Sequence, residues 1–232
     1  MKRVLVSGTS SGLGMHIARD LARDHHVTGF ARRECQDEGL LLSPNFTHLN
    51  NIDVQKDMEK IYPLLAPTDI LINNIGVAQN SLLATTTESE ILQIISTNLT
   101  SAIMMTREYV RQRLTSRKSG VVLNVSSIIA SNGYAGLSVY SASKAGMEGF
   151  TRSLAREMGG KGFRFNTISP GYFESDLSAS LSDNQKAQII RRTPLGRLAR
   201  YDDLVPVARF LVSDSSAFIT GQNLIVDGGI TV

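Results

Sequence analysis

The chain has 232 residues, 42% of them hydrophobic, and 24 basic against 21 acidic side chains give a net charge of +3. Opposite charges are interspersed without a run of five of one sign, which excludes a nucleic-acid-binding tail as the organising feature. A single cysteine, Cys35, excludes an intramolecular disulfide framework and a cysteine metal cluster, and neither a leader-like segment nor an 18-residue apolar run is present, so a cytoplasmic protein with no membrane span is expected.

Cys35 is expected as a reduced surface thiol. His16, His25, His26 and His48 lack metal-motif spacing and are assigned structural or surface roles, so no metal is expected.

Val4 to Ser7 reads as a short buried strand and passes directly into Gly8-Thr9-Ser10-Ser11-Gly12-Leu13-Gly14, after which Met15 to Arg23 carries helical periodicity. A glycine turn between strand and helix suits a pyrophosphate: it permits close backbone approach, and the first helical turn offers unpaired N–H groups to negative charge. Gly8, Gly12 and Gly14, with Ser10, Ser11 and Leu13 between them, are candidate cofactor ligands. A second strand is expected over His26 to Ala31, and it ends in Arg32 and Arg33 where an NAD-preferring chain places a carboxylate for the ribose diol. A guanidinium cannot accept from a hydroxyl and suits a 2′-phosphate, so the pair points to NADP, through Arg32 first and Arg33 second.

Glu34 to Phe46 is irregular and predicts a loop or a reduced helix. Thr47 to Leu49 follows as a third strand ahead of Asp53 and Val54, then a helix over Gln55 to Leu65 and a strand over Asp69 to Asn73 running into Asn74 and Gly76. Asn74 and Gly76 fit ligand contacts beyond the carboxyl end of a parallel strand, and a structural turn accounts for them equally well. Glu88 to Arg117 reads as helical, in one or two pieces, with Asn98 in its middle; on residue type alone Asn98 is neutral surface or makes a local hydrogen bond.

Val121 to Asn124 is a strand, Ser126 and Ser127 follow it, and a helix is predicted from about Ser138 to Met158. Tyr140 and Lys144, four positions apart, share one helix face. A positive charge beside a phenol favours its ionised form and is expected to draw the tyrosine toward the working pH range, where it can give and take a proton. Ser127, at a strand end, is placed to hold a carbonyl oxygen. A Tyr with Lys at i+4 arises by chance in roughly one chain in five of this composition, so the pair carries weight only with its context.

A sixth strand over Phe163 to Ser169 is ended by Pro170 and Gly171. Residues 172 to 192 read as an excursion over the site, with a helical piece near Gln185 to Ile190, and substrate choice is expected there. A helix over Asp202 to Val212 and a short strand over Asn223 to Val226 complete the alternation. It predicts an α/β fold: a doubly wound parallel sheet of about seven strands with helices on both faces, one dinucleotide-binding Rossmann domain over residues 1–232.

Taken in order, these motifs resemble the short-chain dehydrogenase/reductase family nearly end to end, in particular its 3-oxoacyl-[acyl-carrier-protein] reductase-like members. The family's glycine pattern stands as Ser7-Gly8 to Gly12-x-Gly14, and its Asn-Asn-Ala-Gly as Asn73-Asn74-Ile75-Gly76, with a bulkier Ile75 beside the expected cofactor ribose. The resemblance implies adenine contacts at Asp53 and Val54, a nicotinamide contact at Pro170-Gly171, and a catalytic set of Ser127, Tyr140 and Lys144. Asn98 enters that set through the resemblance alone, as the residue that positions a water leading from Lys144 to solvent. Ser175 stands where the family often has Thr.

The implied activity is an NADPH-dependent carbonyl reductase in which Tyr140 donates the proton, Ser127 holds the substrate oxygen, and Lys144 acts on the tyrosine and the nicotinamide ribose; Tyr140 is counted among the cofactor contacts as well. Candidate substrates include 3-oxoacyl thioesters, free or carried by acyl-carrier protein. The alternatives are an alcohol, sugar or polyol dehydrogenase working oxidatively and a catalytically inactive NADP-binding regulator. The resemblance also implies a homotetramer.

Overall fold

Strand β1 (Arg3–Ser7) turns Val4 and Val6 to one face of a sheet and Leu5 to the other, and all three are buried. A strand buried on both sides requires a layer of helix on each. The computed structural model, which describes residues 1–78, 80–173 and 182–232, supplies both layers.

From β1 the chain runs through α1 (Gly12–Leu21), β2 (His26–Phe30), a four-residue α2 (Glu38–Leu41), β3 (Phe46–Leu49), α3 (Met58–Leu65) and β4 (Ile70–Asn73). The second half holds α4 (Glu88–Ile95), α5 (Ser101–Thr115), β5 (Val121–Val125), α6 (Ile129–Asn132), α7 (Ser138–Met158), β6 (Arg164–Pro170), α8 (Asp183–Arg192), α9 (Tyr201–Val212) and β7 (Asn223–Val226). The seven strands are all parallel, in the order β3-β2-β1-β4-β5-β6-β7. Ile17 and Leu21 of α1 and Leu204, Ala208 and Leu211 of α9 pack on the Val4 and Val6 face. Ile61 and Leu65 of α3, Met105 and Tyr109 of α5 and Met158 of α7 pack on the Leu5 face.

The predicted doubly wound sheet is therefore the observed one, and α7 keeps its predicted bounds. Helix α3 starts three residues later than the periodicity suggests, because the Asp57 carboxylate accepts from the N–H of Asp53 (2.8 Å) and the Asp53 carboxylate accepts from the N–H of Gln55 (2.9 Å). Those bonds offer the backbone a turn in place of a helix. Between α4 and α5 the helix does not break but widens into one π-helical turn over Ser96–Thr100, and Asn98 lies inside it. Part of the expected substrate excursion, residues 174–181 with Ser175, lies outside the described residues; the rest comprises Tyr172, Phe173 and α8, whose capping box is formed by Ser182 and Gln185.

A polar row crosses the middle of the sheet. Asn73, Asn124 and Thr167 lie side by side on β4, β5 and β6, all three buried. Asn73 Nδ2 donates to Asn124 Oδ1 (2.8 Å) and to Thr106 Oγ1 of α5 (3.0 Å), Asn124 Nδ2 donates to Thr151 Oγ1 of α7 (2.8 Å), and the Thr167 hydroxyl donates to the same Thr151 oxygen (2.9 Å). These bonds tie three strands to the two helices that flank the site.

Strand β1 pairs with β2 on one side and β4 on the other, so chain direction across the sheet reverses there. In open parallel sheets a crevice forms at such a reversal, beyond the carboxyl ends of the strands.

Candidate active site

The crevice is present, with a volume of about 420 Å³, between the glycine turn after β1 and the ends of β4, β5 and β6. Gly8 takes φ +78° and its N–H donates to Phe30 O (2.8 Å), which turns the chain off β1 toward α1. A Cβ on Gly14 would lie 2.3 Å from both Gly8 O and Asn74 Nδ2, so only glycine lets α1 close down on the turn. Helix α1 begins at Gly12 without an acidic residue in its first turn, and its positive end is left for an anion. Asn74 locks the turn from the other side: its side chain donates to Ser7 O (3.0 Å) and Gly8 O (3.2 Å), and its own N–H donates to Ser7 Oγ (2.9 Å).

At one end the wall is made by Ala31, Arg32 and Arg33 after β2 and by Ile52, Asp53 and Val54 after β3. Arg33 Nη2 donates to Ser11 Oγ (3.4 Å), spanning the mouth between the two loops. A bare glycine cradle, an open helix N-terminus and paired guanidinium groups together fit a phosphorylated dinucleotide.

The other end is built by β5, α7 and β6. Ser127, Tyr140 and Lys144 line it, with Gly76, Val125, Pro170, Gly171 and Phe173. Lys144 Nζ donates to Val125 O (2.8 Å) and stands 5.8 Å from the centre of the Tyr140 ring. Burial drives the lysine down to a pKa of about 8. Burial also raises Tyr140, opposed by a hydrogen bond with the Ser127 side chain.

Comparison with known proteins decides the family. A family profile described as enoyl-(acyl carrier protein) reductase matches residues 49–231. The 3-oxoacyl-[acyl-carrier-protein] reductases FabG of Chlamydia pneumoniae and Escherichia coli are 36% and 35% identical, each over 99% of this chain and 97% of the relative. The chain belongs to the short-chain dehydrogenase/reductase family. Among solved members, an NAD(P)-dependent gluconate 5-dehydrogenase candidate from Beutenbergia cavernae with bound NADP superposes with a TM-score of 0.93 at 29% identity, over 99% of this chain and 96% of that one. A 4-hydroxyisoleucine dehydrogenase complexed with NADH gives a TM-score of 0.92 over 100% of this chain and 99% of that one; at 24% identity it speaks for the fold alone. As a short-chain dehydrogenase/reductase the chain is an oxidoreductase.

Most of the residues singled out in the sequence line this cleft of the short-chain dehydrogenase/reductase: Gly8, Ser10, Ser11, Gly12, Leu13, Arg32, Arg33, Asp53, Val54, Asn74, Gly76, Ser127, Tyr140, Lys144, Pro170 and Gly171. Gly14 and Asn98 stand behind its wall. Asn98 is fully buried and its amide is engaged with protein on both sides: Oδ1 accepts from Val77 N (2.8 Å), and Nδ2 donates to Val77 O (2.9 Å) and Ser143 Oγ (3.0 Å).

Two expectations are corrected. Lys144 does not lower the phenol in the protein alone, because its ammonium is turned to Val125 O while the tyrosine loses solvent, and desolvation wins. Cys35 is buried rather than a surface thiol, in the core under α1, and desolvation pushes its pKa up. The sequence reading also missed Ser143, which donates to Tyr140 O (2.7 Å) and so links Asn98 to α7, and Phe173 and Ile52, which line the cleft. A Ser three residues after the tyrosine was the one available signal.

Proposed function

We propose that this protein is an NADPH-dependent reductase of carbonyl compounds, with 3-oxoacyl thioesters the leading substrate class. The observation that carries the reading is a single cleft holding an arginine pair at its adenosine end and, at the other, a Ser127–Tyr140 couple whose tyrosine is buried.

Arg32 and Arg33 would hold the 2′-phosphate, the glycine turn and α1 the pyrophosphate, Asp53 and Val54 the adenine, and Lys144, Tyr140 and Pro170-Gly171 the nicotinamide end. When bound, the cofactor supplies a hydride to the carbonyl carbon. Ser127 donates a hydrogen bond that fixes the carbonyl oxygen, and Tyr140 passes its phenolic proton to that oxygen as charge develops there. A phenol that burial keeps protonated suits this direction. Lys144, with a pKa of about 8, both holds and releases a proton near neutrality and can restore the one that Tyr140 gives up. Asn98 holds Val77, next to Gly76 in the cleft wall, and through Ser143 the turn of α7 that carries Tyr140.

Substrate carriage on acyl-carrier protein is supported by the names of the 35–36% identical relatives. The reading takes residues 1–232 as one dinucleotide-binding domain and includes a cytoplasmic homotetramer, as the family implies; among the described residues no helix is long and apolar enough to cross a membrane. The test is NADPH oxidation by the purified protein across 3-oxoacyl thioesters, simple ketones and sugar acids, with NADH in parallel. Turnover fastest on the thioesters with NADPH is expected. Fastest turnover in the oxidative direction on a sugar or polyol would replace the reading with a dehydrogenase, and none on any substrate with intact NADPH binding would leave a regulator.

A further inference from the structure

The cofactor reading rests on where Arg32 and Arg33 stand, and a third residue fixes that place. His48 lies on β3 opposite Gly29 of β2. Its Nδ1 is 3.0 Å from Thr9 Oγ1 in the glycine turn, and its Nε2 is 3.0 Å from Arg33 O. A carbonyl can only accept, so Nε2 carries the hydrogen that Arg33 O receives, and in the neutral ring Nδ1 accepts from the Thr9 hydroxyl.

The imidazole thus reaches across β2 to join the two loops at the cofactor mouth. It can do so because the strand between is bare: a Cβ on Gly29 would lie 2.3 Å from Thr9 Oγ1 and 2.8 Å from Thr9 Cβ and Cγ2. Thr9 itself is fully buried and cannot swing away. Among the described residues two further hydrogen bonds close the same gap, Gln36 N to Ser10 O (3.0 Å) and Arg33 Nη2 to Ser11 Oγ (3.4 Å). Of the three, only the histidine holds the main chain of Arg33, next to Arg32 in the same loop.

We propose that His48 is a positioning residue for cofactor choice: by bridging Thr9 and the Arg33 carbonyl it sets the distance between the glycine turn and the arginine pair, and so the affinity for an adenosine 2′-phosphate over a free ribose diol. The inference rests on the NADPH reading, and it adds a selectivity element outside the arginines themselves. His48 touches no reacting group, so its effect is confined to the adenosine end.

The experiment is calorimetric titration of the full-length protein with adenosine 2′,5′-bisphosphate and with 5′-AMP, alongside KM and kcat for NADPH and NADH and a thermal melt. His48→Ala is expected to weaken the bisphosphate about tenfold, the loss of one or two well-placed hydrogen bonds, while 5′-AMP, kcat and the NADH KM stay within about threefold. His48→Gln, whose Nε2 can still donate to Arg33 O, is expected to recover most of the loss; His48→Asn, which reaches only Thr9, is not. Equal weakening of both nucleotides, or a bisphosphate affinity unchanged in His48→Ala, overturns the proposal. Arg32→Ala separates the two levels. If it lowers bisphosphate affinity and His48→Ala does not, the positioning role alone fails; if neither does, the NADPH reading fails with it. Should His48→Ala not fold, the Gln and Asn pair decides: equal bisphosphate affinities in the two overturn the proposal.

Discussion

Asn98 grips Val77 by both of its main-chain polar groups, accepting from the N–H at 2.8 Å and donating to the C=O at 2.9 Å. The π-turn of Ser96–Thr100 carries it, fully buried, behind the wall that Gly76 and Val77 present to the cleft.

Asn98→Ala leaves both of those groups and the Ser143 hydroxyl without that partner, at a cost of about 2 kcal/mol. For a chain of this length the melting temperature should fall by roughly 4–8 °C, and turnover should fall with it, because the cleft wall loosens. Asn98→Asp retains the acceptor for Val77 N but sets a carboxylate oxygen against Val77 O, so it should be no more stable than Asn98→Ala. Differential scanning calorimetry and steady-state rates on the same samples check this, and an unchanged melt would show that the clamp is idle.

Tyr140→Phe removes the proton donor and little else, since Ser143 and Asn98 hold the helix through main-chain and neighbouring contacts. The expected result is a fall in kcat of about a hundred- to ten-thousandfold, with NADPH affinity measured by fluorescence titration falling far less, since Tyr140 is one of several contacts at the nicotinamide end. Near-native turnover would remove the tyrosine from its role.

Lys144 gives the cofactor-free protein a particular pH dependence. Its folded pKa of about 8 lies below the free value of 10.5, so between these values the unfolded chain binds more protons than the folded one, and stability rises with pH across that window. Raised Tyr140 and Tyr109 act oppositely, but only above the free tyrosine value near 10. Urea unfolding at pH 7 and 9.5 should therefore show Lys144→Met losing a rise on the order of 2 kcal/mol that the native chain displays. Parallel pH profiles for the two proteins would contradict a buried, depressed lysine.

Gly14→Ala drives a methyl group into Gly8 O and the Asn74 amide. Overpacking of this kind costs about 1–3 kcal/mol, and the displaced turn should bind dinucleotide at least about tenfold more weakly. Calorimetry with NADPH, set beside the thermal melt, checks both effects.

The central strands were legible because they are buried on both faces and therefore read as short apolar runs, as in Val4 to Ser7 and Ile70 to Asn73. The glycine turn was legible because close approach to Asn74 leaves no room for a side chain. Contacts between distant residues were not. Nothing local marks His48 as the partner of Thr9, 39 positions away, or Ser143 as that of Asn98, 45 away. The Tyr140–Lys144 spacing told which face the two share but not how completely water is lost there, and that loss sets the direction of both pKa shifts.

The amide and hydroxyl row of Asn73, Asn124 and Thr167 bears on how the sheet assembles. Shifting β5 by a single position would swing the Asn124 amide to the opposite layer, facing aliphatic carbon with no partner, and abandon Asn73 and Thr151 as well. Misaligned intermediates are thus penalised at the centre of the molecule, so that only one alignment of β4, β5 and β6 lets the chain finish folding, and the same alignment delivers Ser127 opposite Tyr140.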